Sequence, residues 1–426
     1  MYNILSLDGG GSWAIIQVMT LQKLYGDDAP GSHVLKNFDL VAANSGGSIV
    51  AAALFLDMKL STIRALFETR AERRKMFAPL PFGSITTFAG LGPRYQAAAK
   101  LAGLRAVFGA DSAITLDQAA ERINAQNKKQ RRSELLIVGY QYDRDRAKFF
   151  RSNPASLASG SGSSAAVTLA EAVHASTNAP INYFEEPAKV RIDGREVLFW
   201  DGGVTGFNNP ILAGLTEAKA NGIASAEIHA LSLGTGNTFL PLADARSAEF
   251  RFLLAQPKEP NPATDIQKLA TSVLADPPDS ATFMAHVMLD GKTSSDAANP
   301  VTAGPVVRLN PLIQPVLASR DGRDYWILPR AVRGPDQTWG QFPREAQPAL
   351  DDDRFEALVE MDMDATEDRE VSLIRRFAEE WMADHIPNQP VRADGKLDCQ
   401  IGHHWFSQGL SQAIGYFVPP AQRAVA

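Results

Sequence analysis

Five short apolar runs, 4–7, 38–42, 135–140, 197–200 and 228–233, are separated by stretches in which apolar positions recur every three or four residues. Continuous apolar runs of this length read as strands buried on both faces, and the 3.6-residue periods between them as covering helices. The pattern predicts an α/β fold, a largely parallel sheet with helices on either side. The first run opens into Asp8-Gly9-Gly10-Gly11-Ser12, after which Ile15, Val18, Met19, Leu21 and Leu24 mark a helix that stops at Gly26. The second leads through Ala43-Asn44-Ser45-Gly46-Gly47 into an apolar helix over 48–55, and the fourth ends in Asp201-Gly202-Gly203. Residues 152–164, rich in Ser, Gly and Ala, read as a surface loop. The Pro-rich stretch 257–262 reads as a connector. Beyond it the periods turn mostly helical, with amphipathic stretches around 265–274 and 373–383. The expected organisation is an α/β core over 1–256 and a mostly helical extension over 257–426 packed on it.

Three of these junctions carry candidate chemistry. A serine hydroxyl is a poor nucleophile unless a sharp strand-to-helix turn lifts it clear of the backbone, and that turn needs small neighbours. Ser45 stands where such an elbow would place it, although Ala43 makes the pattern A-x-S-x-G rather than G-x-S-x-G. Taken alone, the segment also reads as an ordinary small-residue turn. Gly9, Gly10 and Gly11 can turn backbone N–H groups toward one point, with the start of a helix behind them, which suits an anion. In an acyl hydrolase that anion is the oxyanion of the tetrahedral intermediate, and losing one donor costs about 3–4 kcal/mol. Asp201, at a strand end, is placed to accept a proton from Ser45.

In this order the three segments resemble the patatin-like phospholipase family, whose members use a Ser-Asp dyad. Asp8-Gly9-Gly10-Gly11 matches the family's oxyanion loop, Ser45 its nucleophile and Asp201-Gly202-Gly203 its aspartate motif. Ala175-Ser176-Thr177-Asn178-Ala179-Pro180, Asn208-Asn209-Pro210, Leu231-Ser232-Leu233-Gly234-Thr235-Gly236 and Met361-Asp362-Met363-Asp364 look like further family segments. Trp13 and Ala14 stand where the family has arginine and glycine, which with Ala43 marks a divergent member. The resemblance implies a three-layer α/β/α sandwich that hydrolyses lipid acyl esters, phospholipids among them. It implies catalysis by Ser45 and Asp201, an oxyanion hole at Gly9, Gly10 and Gly11, and no cofactor or metal.

Histidine, metal and nucleotide chemistry are the competing readings. A triad would need a relay histidine; among His33, His174, His229, His286, His385, His403 and His404 the nearest candidate is His174, which also reads as a packed helix residue. His403 and His404 are adjacent, so their side chains diverge, and only Asp398 and Cys399 lie close in sequence. Asp351-Asp352-Asp353 precedes an apolar-periodic stretch as helix-capping carboxylates do, and Asp362, Asp364, Glu367 and Asp368 lack the spacing of an EF-hand loop. The loops at Asp8, Asp201 and Leu233-Gly234-Thr235-Gly236 superficially resemble those of actin-like ATPases and sugar kinases. There the first loop joins a hairpin, whereas here a helical period follows it. A catalytically weakened, lipid-binding relative is the non-enzymatic alternative.

Composition narrows the setting. The chain has 426 residues, 45% of them apolar and 21% charged, enough to bury a large core. A single cysteine excludes an intrachain disulfide framework and fits a reducing compartment, and no apolar run is long enough to span a bilayer. No basic start followed by a cleavable apolar stretch occurs at the N-terminus, so a cytoplasmic location is expected. A net charge of −6 argues against general nucleic-acid or anionic-membrane affinity, so membrane contact would need a local patch. One candidate is the segment 70–108. It starts with Arg70, Arg73, Arg74 and Lys75 and continues through Phe77, Phe82, Phe88, Leu91, Tyr95, Leu101, Leu104, Val107 and Phe108, with Lys100 and Arg105 interspersed. It reads either as a lid or peripheral membrane contact, or as a basic helix end followed by core packing.

Overall fold

The apolar runs form the centre of an eight-stranded sheet in a computed structural model. The residues described are 1–80, 93–157, 164–181, 183–238, 261, 265, 277–294, 301–313, 357–358, 361, 363–388 and 401–420, with backbone alone at 316–320 and 323–327. The 257–262 connector apart from Asn261, the loop tip 159–162, Asp351-Asp352-Asp353, Asp362, Asp398 and Cys399 lie outside the described residues.

Strands β1 (Tyr2–Leu7), β2 (Leu40–Asn44), β3 (Glu134–Gln141), β4 (Arg146–Arg151), β5 (Ala188–Ile192), β6 (Arg195–Asp201) and β7 (Ile228–Leu233) build most of it. A two-residue strand, β8 (Asn237–Thr238), pairs outside this sheet with Leu312–Ile313. The far edge is β9 (Val306–Leu309), parallel to β7. The part of the chain beyond residue 257 therefore also supplies strands, which its mostly helical periodicity did not single out.

Alternation along the central strands divides the core into two layers. Leu5, Leu7, Val41, Ala43, Leu135 and Ile137 face one side, against the helices Ile15–Tyr25, Ser45–Phe55, Leu116–Asn127 and Leu169–Ser176. Ile4, Leu40, Ala42, Leu136 and Val138 face the other, against Ile211–Ala220 and Pro277–Met288. This is a three-layer α/β/α sandwich with a mostly parallel sheet. Helices Asp368–Met382 and Phe406–Phe417 join the first layer through Ile374, Phe377, Trp381, Phe406 and Phe417. Among the described residues no helix is long and apolar enough to cross a membrane.

One feature of register positions the site. Residues 136–138 of β3 pair with both β2 and β4, and residues 139–141 with both β6 and β4. A strand has two edges, so β2 and β6 share the edge that β4 does not occupy. They run toward each other along it, β2 parallel and β6 antiparallel to β3, and stop on consecutive residues: Asn44 opposite Val138, Asp201 opposite Gly139. The two strand ends meet head to head.

Candidate active site

The chain turns from β2 into the helix Ser45–Phe55 at Ser45, whose φ of 46° lies in the left-handed region that a side chain rarely adopts. Gly46 and Gly47 admit the turn, because an added Cβ would stand 2.4 Å from the Gly11 carbonyl oxygen and 2.5 Å from that of Leu7. The half-buried Ser45 donates its backbone N–H to Ser176 Oγ at 2.9 Å. Ser45 and Asp201 line one cleft, and the serine side chain acts on the carboxylate's pKa as a hydrogen-bond partner.

Asp201 is buried at the end of β6 and accepts the Gly203 N–H through Oδ1 at 2.8 Å. Its own N–H donates to the Asn178 carbonyl at 2.9 Å. Burial raises its pKa above the ordinary carboxylate value. The hydrogen bonds from Ser45 and Gly203, the charge of Lys100 and the Asn44 amide pull it back down. The result is a carboxylate more basic than a surface aspartate, in the same cleft as the half-buried Ser45. No histidine hydrogen-bonds to Ser45 or Asp201 among the described residues. His174 is buried with Nδ1 unpartnered, and burial followed by the charges of Lys100 and Arg105 pushes its pKa well down.

The glycine loop follows β1 and passes directly into the single 3-10 turn Gly11–Ala14 and the helix Ile15–Tyr25, with no hairpin. A Cβ on Gly9 would stand 3.0 Å from Ser45 Cβ and 2.3 Å from Asn208 Oδ1, so only glycine lets the loop approach the elbow. Of the three N–H groups expected to face an oxyanion, that of Gly9 is excluded: it donates to the Asn208 carbonyl at 2.8 Å. Gly10 and Gly11 donate theirs to no acceptor among the described residues, and Gly11 lines the same cleft as Ser45, Gly46 and Asp201. Thr235 Oγ1 to Gly9 O (2.7 Å) and Gln17 Nε2 to Asp8 O (2.9 Å) hold the loop from below. Asp8 itself forms a buried ion pair with Arg308 of β9 at 2.6 Å, and burial outweighs that cation and pushes its pKa up to about 6.

Comparison with known proteins follows this geometry. Residues 5–215, which carry the loop, the elbow and the aspartate, match the family model for patatin-like phospholipases. Residues 5–215 are a patatin-like phospholipase domain. A solved structure, VipD from Legionella pneumophila, is similar at 10% identity with a TM-score of 0.35, over 88% of this chain and 66% of that one. The chain thus spans just under two thirds of that protein's length. No curated protein matches it in sequence.

The other family-like segments of the patatin-like domain act as supports. Asn209 is saturated: its side chain accepts from Ser6 Oγ and Ile211 N and donates to Ser232 Oγ, the Pro278 carbonyl and Thr282 Oγ1. Ser176 and Asn178, within the motif that starts at Ala175, hold the backbones of Ser45 and Asp201 respectively. Trp13, in place of the family's arginine, packs edge-on against Phe377 with centroids 6.2 Å apart.

The Met363–Asp364 end of the last motif lies across the cleft. Ser12 N–H donates to the Met363 carbonyl at 3.0 Å, Ser12 Oγ donates to that of Ala365 at 2.8 Å, and Tyr95 and Arg94 hold the buried Asp364 carboxylate. The remaining walls are Ile49, Phe77, Thr177, Ala179, Tyr183 and Phe184, a mostly apolar lining.

Described parts of the segment 70–108 support this strap. Arg73 is fully buried and donates to the carbonyls of Phe67, Glu68 and Thr366 and to Asp368, while Arg70 pairs with Glu367 and Lys75 with Glu72. Tyr95, Lys100, Leu104 and Phe108 are buried as well. Arg73, Tyr95, Lys100, Leu104 and Phe108 thus pack internally, whereas Arg70, Arg74 and Arg105 are exposed. Phe82, Phe88 and Leu91 lie outside the described residues. His403 bonds to Gln412, and His404 packs edge-on against Trp405.

Proposed function

We propose that the chain is a lipid acyl hydrolase working through a Ser45–Asp201 dyad. The observation that carries this reading is the meeting of a left-handed serine elbow and a buried carboxylate of raised basicity in one cleft, with no histidine hydrogen-bonded to either among the described residues. Asp201 takes the Ser45 proton as Oγ bonds to the ester carbonyl carbon. The oxyanion falls to the N–H groups of Gly10 and Gly11, placed at the start of a helix. The ester C–O bond then breaks, the alcohol leaves with the proton from Asp201, and an acyl-enzyme remains. Water repeats the sequence: Asp201 takes its proton, the hydroxyl adds to the acyl carbon, and the bond from that carbon to Ser45 Oγ breaks as Asp201 returns the proton to Oγ, which releases the fatty acid and restores the dyad. The apolar cleft and the family point to phospholipids or other lipid esters as substrate, and no step calls for a metal.

The actin-like reading loses support, since the first glycine loop leads into a helix. Labelling by a fluorophosphonate, followed by turnover of a lipid panel read by mass spectrometry, tests the proposal. Ser45→Ala should abolish both, and Asp201→Asn should cut turnover by orders of magnitude, with the double variant little worse than either single one. Hydrolysis surviving Ser45→Ala overturns it.

A further inference from the structure

Lys100 is buried among groups that all accept. It lies in the helix Ala97–Phe108, is 2% exposed, and its Nζ donates to the His174 carbonyl at 3.1 Å and to Thr177 Oγ1 at 3.0 Å. The same Nζ stands 4.1 Å over the Phe184 ring. These partners sit at the C-terminal end of the helix Leu169–Ser176, where unpaired carbonyls and the helix dipole favour a cation. The turn it caps carries both dyad anchors, Ser176 Oγ under the Ser45 N–H and the Asn178 carbonyl under the Asp201 N–H.

We propose that Lys100 is the positioning residue of the dyad, a buried cation that fixes the 176–178 turn on which the backbones of Ser45 and Asp201 are anchored. The inference rests on the dyad reading. The charged and titratable groups around the pair are few. Burial pushes the Lys100 pKa well below the ordinary lysine value, and the charges of Asp201 and Glu185 act against it to keep the ammonium form, Glu185 also accepting the Ala97 N–H at that helix's start. His174, held neutral by burial, Lys100 and Arg105, adds no competing cation. Asp201 feels Lys100 together with the hydrogen bonds of Ser45, Gly203 and Asn44.

Two substitutions separate tethering from charge. Lys100→Gln keeps N–H donors and removes the charge; Lys100→Met removes both and leaves an apolar chain of similar length. The readout is the pH profile of kcat/KM on a short ester. Both variants should move the acid limb up by about one pH unit or more, because the base has lost a stabilising cation. The loss should be largest at low pH and shrink as pH rises, and Lys100→Met should also lower kcat at the plateau. An acid limb unmoved in Lys100→Gln overturns the inference, whatever happens to KM or stability, and that variant decides if Lys100→Met does not fold. Ser45→Ala and Asp201→Asn measured alongside keep the two readings apart: if either retains turnover the dyad fails, and if both are inactive with the limb unmoved only the role of Lys100 fails.

Discussion

Gly11→Ala is the sharpest single perturbation of the cleft, because two independent costs meet at one methyl group. Gly11 has φ +55°, a conformation that disfavours alanine by about 1–2 kcal/mol. The new Cβ would stand 2.3 Å from the Met363 carbonyl oxygen and 3.0 Å from its carbon. Restoring ordinary contact requires the strap to retreat by about 1 Å, which stretches the Ser12 bonds to Met363 and Ala365; overpacking of this kind costs about 1–3 kcal/mol. The stability loss should therefore be about 2–5 kcal/mol. Gly222→Ala supplies the control, since φ there is +85° and nothing lies within 4 Å of the added Cβ, so it reports backbone strain alone. Urea unfolding followed by tryptophan fluorescence gives both values, and their difference is the clash. Activity should fall more steeply than stability, because the displaced N–H is one of the two proposed to hold the oxyanion; a hundredfold drop or more in kcat is expected, roughly the loss of one such donor. Equal destabilisation in the two variants, with Gly11→Ala turnover within about twofold of wild type, would refute both the strap contact and the donor role.

Arg73→Met should destabilise the chain by about 3 kcal/mol, since it leaves buried carbonyls without a donor, and limited proteolysis should then cut near residues 363–368. Neutralising the exposed Arg74 instead should leave the urea midpoint unchanged. Arg308→Met should weaken the fold most at high pH. Asp8 has a native pKa of about 6 against an ordinary 3.8, so its contribution favours the fold at low pH and is lost as pH rises through about 6. Removing its cation raises that pKa further, so the deficit measured by urea midpoints should be larger at pH 8 than at pH 5. In the wild-type enzyme the raised pKa of Asp201 should place the acid limb of kcat/KM above the ordinary aspartate range, and a limb at or below it would contradict burial as the dominant influence. Ester hydrolysis should be insensitive to chelators, and loss on chelation with recovery on adding calcium would contradict the metal-free mechanism.

The central strands and the three junctions were legible because each combines a short apolar run with a change of period, a local signal. Gly9, Gly10, Gly11, Ser45 and Asp201 all follow from it. The antiparallel entry of β6 onto β3 was not legible, since the direction of a strand depends on partners far along the chain. Nor were the buried cations. Arg73 stands among charged neighbours that are solvated, and nothing local distinguishes it. Lys100 carried a fainter mark: it is the one charge in Ala97-Ala98-Ala99-Lys100-Leu101-Ala102-Gly103-Leu104, whose small residues allow close packing. Gly103 there comes within 1.8 Å, measured from an added Cβ, of the Lys75 carbonyl oxygen. The commitment of the Gly9 N–H was invisible because its acceptor, Asn208, arrives from a distant loop.

The head-to-head ending of β2 and β6 also bears on how such a chain tolerates change. The gap between the proposed nucleophile and base is gauged by one peptide step of β3, from Val138 to Gly139, and not by the loops that join the strands. Insertions and losses in the loops between the two can therefore accumulate without altering that gap, so the lineage is free to remodel its substrate walls while the pair stays in place. The converse holds for β3. A single residue added between positions 138 and 139 would part the strand ends by about 3.3 Å, beyond the reach of a hydrogen bond.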